Sequence, residues 1–198
     1  MLQEGKSLAS KKEIANIKWN LGESANLSRM SPIIGEIDLT VIAKAFHWME
    51  REQTLRDLYL MTKPGGGLSI IFDTGPRDPP FTKWKSVIDD AVHHWLGDVR
   101  QAGTKGAYTH PSIRFETVLE ESQFHNMESV VIKTKRKWTI DEIVGYLYST
   151  SYSSIPVLGD KKESFEADIR RRLAEIESSG IFEEEATTKM LLVWKNCQ

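Results

Sequence analysis

A histidine and a tryptophan follow a predicted β-strand, and of all the side chains in this sequence theirs are best suited to chemistry. The strand covers residues 37–43, where apolar and polar residues alternate, and His47 and Trp48 come shortly after its end. Open α/β sheets bind ligands at the carboxyl ends of their strands. His47 can act there as a general base or orient an acceptor oxygen, because an imidazole changes its charge close to neutral pH. The alternative is a packed, hydrogen-bonded histidine beside a tryptophan that forms a wall.

Other residues whose side chains could take part in chemistry are better explained by structural roles. His93 and His94 are adjacent on a predicted helix, so their side chains do not share a face and do not form a metal-binding pair. The basic run at residues 133–137 lacks interleaved aromatic side chains and indicates a solvated strand face. The serine-rich residues 149–154 carry no nucleophile motif and are predicted to form a loop. We therefore predict no metal site.

Composition limits the classes of partner. The 198 residues include 26 basic and 28 acidic side chains, and the net charge of -2 argues against a dedicated nucleic-acid binder. Cys197 is the only cysteine, which excludes a disulfide framework and favours a reducing compartment. The first residues do not resemble a signal peptide, and no stretch approaches the roughly 18 apolar residues of a membrane span. We expect a cytoplasmic protein without nucleic-acid or membrane partners.

Apolar side chains recur at helical or strand spacing along most of the chain. Helices are predicted at residues 1–13, 51–61, 81–99 and 112–122, and two more begin at the capping sequences of residues 139–142 and 160–163. Strands are predicted at residues 16–20, 37–43, 68–72, 129–138 and 187–194. Turns or loops are predicted at residues 22–24, 64–67, 73–80 and 101–111.

The order of these elements predicts the fold class. The strand, helix, turn and strand of residues 37–72 are typical of a βαβ unit, which forms parallel sheets with right-handed crossovers. We therefore predict an α/β domain with a mostly parallel, Rossmann-like sheet, in which one late strand could be antiparallel. The length favours a single domain over residues 1–198.

Several short segments, taken in order, carry a family resemblance. DLTVIAKAFHW at residues 38–48 is followed by a helix, by LMTKPGGG at residues 60–67 and by an apolar strand. MLQEGKSLA and GESANL lie upstream at residues 1–9 and 22–27, and WTIDEIVGYLYS lies downstream at residues 138–149. Together these segments resemble the class I S-adenosylmethionine-dependent methyltransferases. The small-molecule, trans-aconitate methyltransferase-like branch is the most similar.

The resemblance implies S-adenosylmethionine as the cofactor and a small molecule as the methyl acceptor. The cofactor-binding positions that it implies are Gly22, Glu23, Ser24, Lys44, Ala45 and Phe46. The acidic turn would accept a hydrogen bond from the adenine amino group, and the backbone after the strand would flank the methionine part. The substrate positions that it implies are His47, Trp48, Trp84 and Tyr146, with His47 as the catalytic residue. Helical segments at residues 74–111 and 139–180 would cover the substrate side.

One family motif is missing. The 198 residues contain no G-x-G-x-G sequence, which in the family forms the cofactor loop after the first strand. Residues 65–67 do not replace it, because they follow a helix and precede a strand, whereas a cofactor loop follows a strand and opens a helix. We therefore expect an N-terminally truncated domain that lacks two βα units, or at least roughly 60 residues.

The expected truncation leaves several arrangements and functions open. In the family's strand order the absent strands would lie beside residues 37–43, which gives this strand an exposed edge. Residues 17–20 could occupy the edge, two copies could pair or swap there, or the missing half could lie on another polypeptide or upstream of an incorrectly assigned start. The chain is then a methyltransferase, half of a two-chain enzyme, or a non-catalytic subunit that binds a partner chain.

Overall fold

The computed structural model describes residues 2–74, 82–99 and 113–197. Its helices are α1 (Leu2–Lys11), α2 (Leu27–Ile34), α3 (Arg51–Met61), α4 (Lys83–Leu96), α5 (Phe115–Glu120), α6 (Ile140–Ser149), α7 (Ile155–Leu158) and α8 (Lys162–Ile176). Its strands are β1 (Ile37–Ala43), β2 (Thr62–Asp73), β3 (His125–Thr139) and β4 (Ile181–Trp194). Short 3-10 turns lie at Ser24–Asn26, Phe46–Trp48 and Gly159–Lys161. The result is the mixed α/β architecture that the sequence predicts.

The strands form one sheet in the order β1-β2-β4-β3. Backbone hydrogen bonds join Gly66 to Lys195 and Thr74 to Thr187. Residue numbers therefore rise along β2 while they fall along β4. The ion pairs of Lys135 with Glu185 and of Lys137 with Glu183 show the same opposite numbering for β3 and β4. β4 is therefore antiparallel to both of its neighbours, which confirms the prediction of an antiparallel late strand.

The contacts divide the chain into two compact units. Unit 1 comprises Met1–Ile70, Ile113–Glu128 and Leu191–Gln198, and unit 2 comprises Ile71–Ser112 and Ser129–Met190. The strands β2, β3 and β4 each contribute residues to both units. The single domain over residues 1–198 stays a prediction.

Unit 1 is built on the apolar faces of β2 and α3. Its buried side chains include Phe46, Leu55, Leu58, Leu68, Ile70, Leu119, Leu191 and Val193. Lys195 closes the carboxyl end of α3, because its ammonium donates hydrogen bonds to the carbonyls of Tyr59 and Thr62 and lies 4.7 Å from the Tyr59 ring centre. A cation at this end also interacts favourably with the helix dipole.

Unit 2 packs α4, α6 and α8 around an apolar cluster. Its buried side chains include Ala91, Trp138, Ile143, Leu147, Phe165, Ile169, Leu173 and Phe182. The helical stripes predicted for residues 140–147 and 165–176 supply most of this cluster. α6 begins at the predicted capping box, in which the Thr139 hydroxyl accepts from the Glu142 amide and the Glu142 carboxylate accepts from the Thr139 amide.

Two predictions in the N-terminal region are wrong. Residues 16–20 form no strand, because Trp19 instead packs across Gly5 of α1, where any Cβ would overlap its ring. This segment therefore does not fill the edge beside β1. The helix α2 was not predicted, and Pro32 lies inside it. Its short length and its proline obscure the helical pattern.

Other predictions need new boundaries. Residues 64–67, predicted as a turn, belong to β2. Helix α8 follows the predicted capping sequence, but its N-cap residue, Lys161, makes no side-chain capping bond. α5 is shorter than predicted, whereas β3 and β4 begin earlier than predicted. The predicted loop at residues 101–111, and nearly all of that at residues 73–80, lie outside the described residues.

The alternation predicted for β1 is confirmed, but its apolar face is not the covered one. Ile42 is buried, whereas Leu39 and Val41 are 56% and 55% exposed. β1 is also the edge strand of the sheet that the described residues form. None of the described helices combines the length and the apolar character that a bilayer crossing requires.

Candidate functional site

The end of β1 is marked by an unusual backbone conformation. Lys44 has a φ angle of 52°, in the left-handed region that non-glycine residues rarely occupy. For such a residue this conformation costs on the order of 1 kcal/mol and is often found at functional sites. The turn redirects the chain from the strand into the Phe46–Trp48 turn, so it positions the residues that the sequence predicts to be functional.

Phe46 anchors this turn in the core of unit 1. Its side chain is 1% exposed and meets the Phe115 ring edge-on, with 5.2 Å between the ring centres. The amide of Trp48 donates to the carbonyl of Ala45 at 3.0 Å and closes the turn. Because the phenyl ring is committed to packing, a ligand at this position would contact the Phe46 backbone.

His47 and Trp48 are brought together at the surface of unit 1. Their ring centres are 4.9 Å apart and their planes are tilted by 43°. The Trp48 side chain is half exposed and His47 is partly buried. An imidazole beside an exposed indole can accept or donate a proton at the edge of an apolar surface. This geometry is compatible with the predicted pairing of a base and a wall.

The predicted adenine-side turn is also in unit 1. Glu23 is extended and exposed, and its carboxylate makes no capping bond to the Ser24–Asn26 turn that follows it. That turn contacts α2 and α3. Gly22 has a packing role of its own, because a Cβ there would overlap the Met30 sulfur on α2. The glycine therefore allows α2 to approach, whatever else the turn binds.

Trp84 and Tyr146, the predicted substrate residues of unit 2, both lie close to the Trp138 ring. The ring centre of Trp138 is 6.4 Å from that of Trp84 and 5.5 Å from that of Tyr146. Trp84 is partly buried against the unit 2 cluster and its indole donates to the Glu183 carbonyl at 3.1 Å, whereas Tyr146 is half exposed. Trp84 thus has a structural role, and its contact with a substrate stays a prediction.

Sequence reasoning did not single out Trp138 as the centre of this aromatic cluster. The Arg136 guanidinium lies 3.5 Å from the Trp138 ring centre, and the Trp138 indole donates to the Glu184 carboxylate. The position of Trp138 directly before the capping box is the signal that could have identified it. A buried indole needs a hydrogen-bond partner, and the strand opposite provides it.

The two histidines of α4 do not form a ligand pair. The Nδ1 atom of His93 lies 2.7 Å from the Asp89 carbonyl, and the His94 ring meets Trp95 edge-on. Over the described ranges, the structure contains no group of three or more histidine, cysteine or acidic side chains that could hold a metal ion.

No protein-family model matches the chain. At the level of sequence it is similar to an uncharacterized methyltransferase from Schizosaccharomyces pombe, with 24% identity over 161 residues. That match covers 80% of this chain and 57% of the yeast protein, so the chain spans little more than half the length of this curated relative.

Solved structures reproduce the fold. An inferred methyltransferase from Bacillus halodurans matches with a TM-score of 0.52 and 10% identity, over 98% of this chain and 78% of that one. The chain has the class I methyltransferase fold. Within this fold Lys44–Trp48 follow a strand at its carboxyl end, where Rossmann-like sheets bind their ligands.

The class I methyltransferase fold does not fix the reaction. The [4+2]-cyclase SpnF matches with a TM-score of 0.50 and 11% identity, over 100% of this chain and 64% of that one. One fold therefore carries different chemistries, and activity has to be argued from the residues of the site.

Proposed function

We propose that this chain takes part in methyl transfer from S-adenosylmethionine to a small-molecule acceptor. The observation that carries the proposal is the left-handed Lys44 at the end of β1, which turns the chain so that His47 and Trp48 follow the carboxyl end of a strand. Similarity to the yeast methyltransferase supports the same conclusion. When bound, the cofactor supplies a methyl group already activated on a sulfonium, so the protein mainly needs to position the two reactants and exclude water.

The residues of unit 1 fit part of such a cofactor. Across the ranges that the structure describes, the Glu23 carboxylate has no hydrogen-bonded or ionic partner, and a carboxylate suits the adenine amino group because it only accepts. The backbone of Lys44–Phe46 would flank the methionine part. The glycine-rich loop of the family has no counterpart in this sequence, so these residues would hold one side of the cofactor.

His47 and Trp48 would act on the acceptor. His47 would remove a proton from an acceptor hydroxyl or acid as its oxygen bonds to the methyl carbon and the carbon–sulfur electrons return to sulfur. Trp48 would form an apolar wall that keeps water away from the reacting atoms. Trp84 and Tyr146, which belong to unit 2, stay predicted substrate residues.

Isothermal titration calorimetry of the 198-residue protein with S-adenosylmethionine tests the cofactor half of this proposal. We expect measurable binding that Glu23→Gln weakens about tenfold, equivalent to about 1.4 kcal/mol. Glu4→Gln, which changes an exposed acid on α1, is the matched control and should bind like the wild type. If the folded protein gives no heat at millimolar cofactor, the isolated chain is not an active methyltransferase.

Turnover tests the role of His47. Incubation with methyl-labelled cofactor and a pool of small metabolites should label an acceptor, and His47→Ala should lower kcat by about a hundredfold if the acceptor has to lose a proton. A Trp48→Phe variant, which keeps an apolar wall, should retain most of the activity. Unchanged turnover in His47→Ala would remove His47 from the catalytic residues.

The exposed edge of β1 favours a second function, that of a subunit that binds a partner chain. An apolar edge strand invites pairing with another strand, and Leu39 and Val41 are both more than half exposed. The partner would be a second copy or a separate polypeptide that completes the sheet. Sedimentation should then show dimers that Val41→Lys dissociates, whereas a monomer at all concentrations would exclude self-pairing.

A further inference from the structure

An open cavity of about 350 Å³ lies between α2 and α3 in unit 1. Its lining residues are Ser28, Ser31, Gly35, Glu36, Asp57, Leu60 and Met61. The volume is within the range of small-molecule sites. Neither the family resemblance nor the proposed methyl transfer assigns a role to this cavity.

The cavity is separate from the proposed site at Lys44–Trp48. Gly35 and Glu36 immediately precede β1, whereas Lys44 and His47 follow its other end. Seven residues of strand span roughly 23 Å at 3.3 Å per residue. A ligand in the cavity would therefore bind at the opposite end of β1 from His47.

Asp57 is the unusual member of the lining. Its residue surface is 6% exposed, and its Oδ1 atom accepts one hydrogen bond of 2.8 Å from the Gln53 amide. Arg56 donates to the Gln53 carbonyl oxygen at 3.0 Å, which fixes the amide so that its nitrogen faces Asp57. In residues 2–74, 82–99 and 113–197, no cation pairs with Asp57. Within those ranges this is the one hydrogen bond that the Asp57 carboxylate accepts, so acceptor positions remain for a donor bound in the cavity.

The other lining groups indicate which cation would complete the site. Glu36 adds a second carboxylate and Ser28 and Ser31 add hydroxyls, so acceptors predominate, and no basic side chain is among the lining residues. Leu60 and Met61 provide apolar surface for methylene groups. Ammonium groups on an aliphatic chain match this combination of acceptors and apolar wall.

We propose that the cavity binds a small aliphatic amine, whose ammonium pairs with the Asp57 carboxylate. A second ammonium on the same chain pairs with Glu36, so a diamine binds more tightly than a monoamine. The ammonium uses the acceptor capacity that the Asp57 carboxylate retains beside its hydrogen bond from Gln53.

Two-dimensional amide NMR of the full 198-residue chain, titrated with putrescine, butylamine and butanediol at low salt, tests the proposal. We expect putrescine to shift the amide signals of Ser28, Ser31 and Gly35 with a Kd of about 1 mM or tighter. Butylamine should bind more weakly and the uncharged diol not at all. The proposal would be overturned if no signal shifts up to about 20 mM putrescine. It would also be overturned if the shifts are confined to other parts of the chain, or if diol and diamine have equal effects.

Matched variants identify the carboxylates responsible. Asp57→Asn keeps the shape of the side chain and should weaken putrescine binding at least tenfold, equivalent to about 1.4 kcal/mol. Glu36→Gln, at an exposed position, should remove the advantage of putrescine over butylamine while the fold persists. Glu128→Gln, an exposed acid elsewhere in unit 1, should change nothing. If Asp57→Asn does not fold, loss or retention of the diamine preference in Glu36→Gln decides the question.

Discussion

The indole nitrogen of Trp138 donates a hydrogen bond of 2.6 Å to the Oε2 atom of Glu184. The other carboxylate oxygen of Glu184 accepts from the Lys85 ammonium, and the glutamate side chain is only 16% exposed. One carboxylate therefore links the buried tryptophan of unit 2 to α4. We expect Glu184→Gln to lower the free energy of unfolding by about 2 kcal/mol, because the amide loses the ion pair and one acceptor.

Urea unfolding measures this loss, and Glu185→Gln is the matched control. Glu185 pairs with Lys135 on the same two strands, but both side chains are about four-fifths exposed. An exposed pair contributes less than about 1 kcal/mol, so this variant should unfold close to the wild type. Equal losses in the two variants would show that burial of Glu184 has no special effect.

Two glycines should respond to alanine in opposite directions. A Cβ at Gly66 would lie 2.7 Å from the backbone oxygen of Asp38 and 3.0 Å from that of Lys63. We expect Gly66→Ala to destabilise the protein by about 1–3 kcal/mol, because backbone atoms have to move. A Cβ at Gly145 in α6 meets nothing within 4 Å, so Gly145→Ala should stabilise the protein by about 0.5–1 kcal/mol.

Thermal and urea unfolding of both alanine variants, compared with the wild type, check this pair. If Gly66→Ala is as stable as the wild type, Asp38 and β2 are not in the close contact that the structure shows. If Gly145→Ala is destabilising, the helix conformation at that position is wrong.

Elements that depend on neighbouring residues could be predicted from the sequence, whereas those that depend on distant contacts could not. The Thr139 capping box and the stripe on α8 were predicted correctly, because capping and helical periodicity depend on neighbouring residues. The prediction of a strand at residues 16–20 is wrong because Trp19 packs against Gly5 of α1, which is a tertiary contact. A pattern within five residues cannot reveal that competing contact.

The candidate site shows the same division. The position of His47 directly after β1 could be predicted, because strand alternation and the histidine lie in one short segment. The left-handed Lys44 could not, since no glycine or asparagine marks the turn. The cavity between α2 and α3 that contains Asp57 could not be predicted either, because its walls come from two separate helices.

Tyr148 should give a distinct pH dependence at alkaline pH. Burial and the 2.6 Å hydrogen bond that its hydroxyl donates to Glu166 raise the pKa of Tyr148 to about 12. The folded protein therefore holds this proton more tightly than the unfolded chain, in which tyrosine titrates near 10. The stabilisation is fully present below pH 10 and is lost as the pH rises through about 12.

The difference in free energy of unfolding between the wild type and Tyr148→Phe, followed from pH 9 to pH 12, measures this contribution. It should be constant up to about pH 10 and then decline. Glu166→Gln should move the decline partway back, because burial remains while the charged acceptor is lost. A phenolate that titrates at its ordinary pKa in the folded protein would contradict the assignment.

The backbone at Lys44 can be tested through residues that tolerate its conformation differently. Because a φ of 52° excludes β-branched side chains, we expect Lys44→Val to lower the free energy of unfolding by about 1–2 kcal/mol. Lys44→Gly should stay within about 1 kcal/mol of the wild type, because relief of strain offsets the greater freedom of the unfolded chain. Valine and glycine at Lys18, in an exposed segment with an ordinary φ, control for side-chain loss.

If this turn presents its backbone to the cofactor, calorimetry should show that Lys44→Gly retains S-adenosylmethionine binding and that Lys44→Val loses it. Equal binding by the two variants would mean that the turn does not form part of the cofactor site.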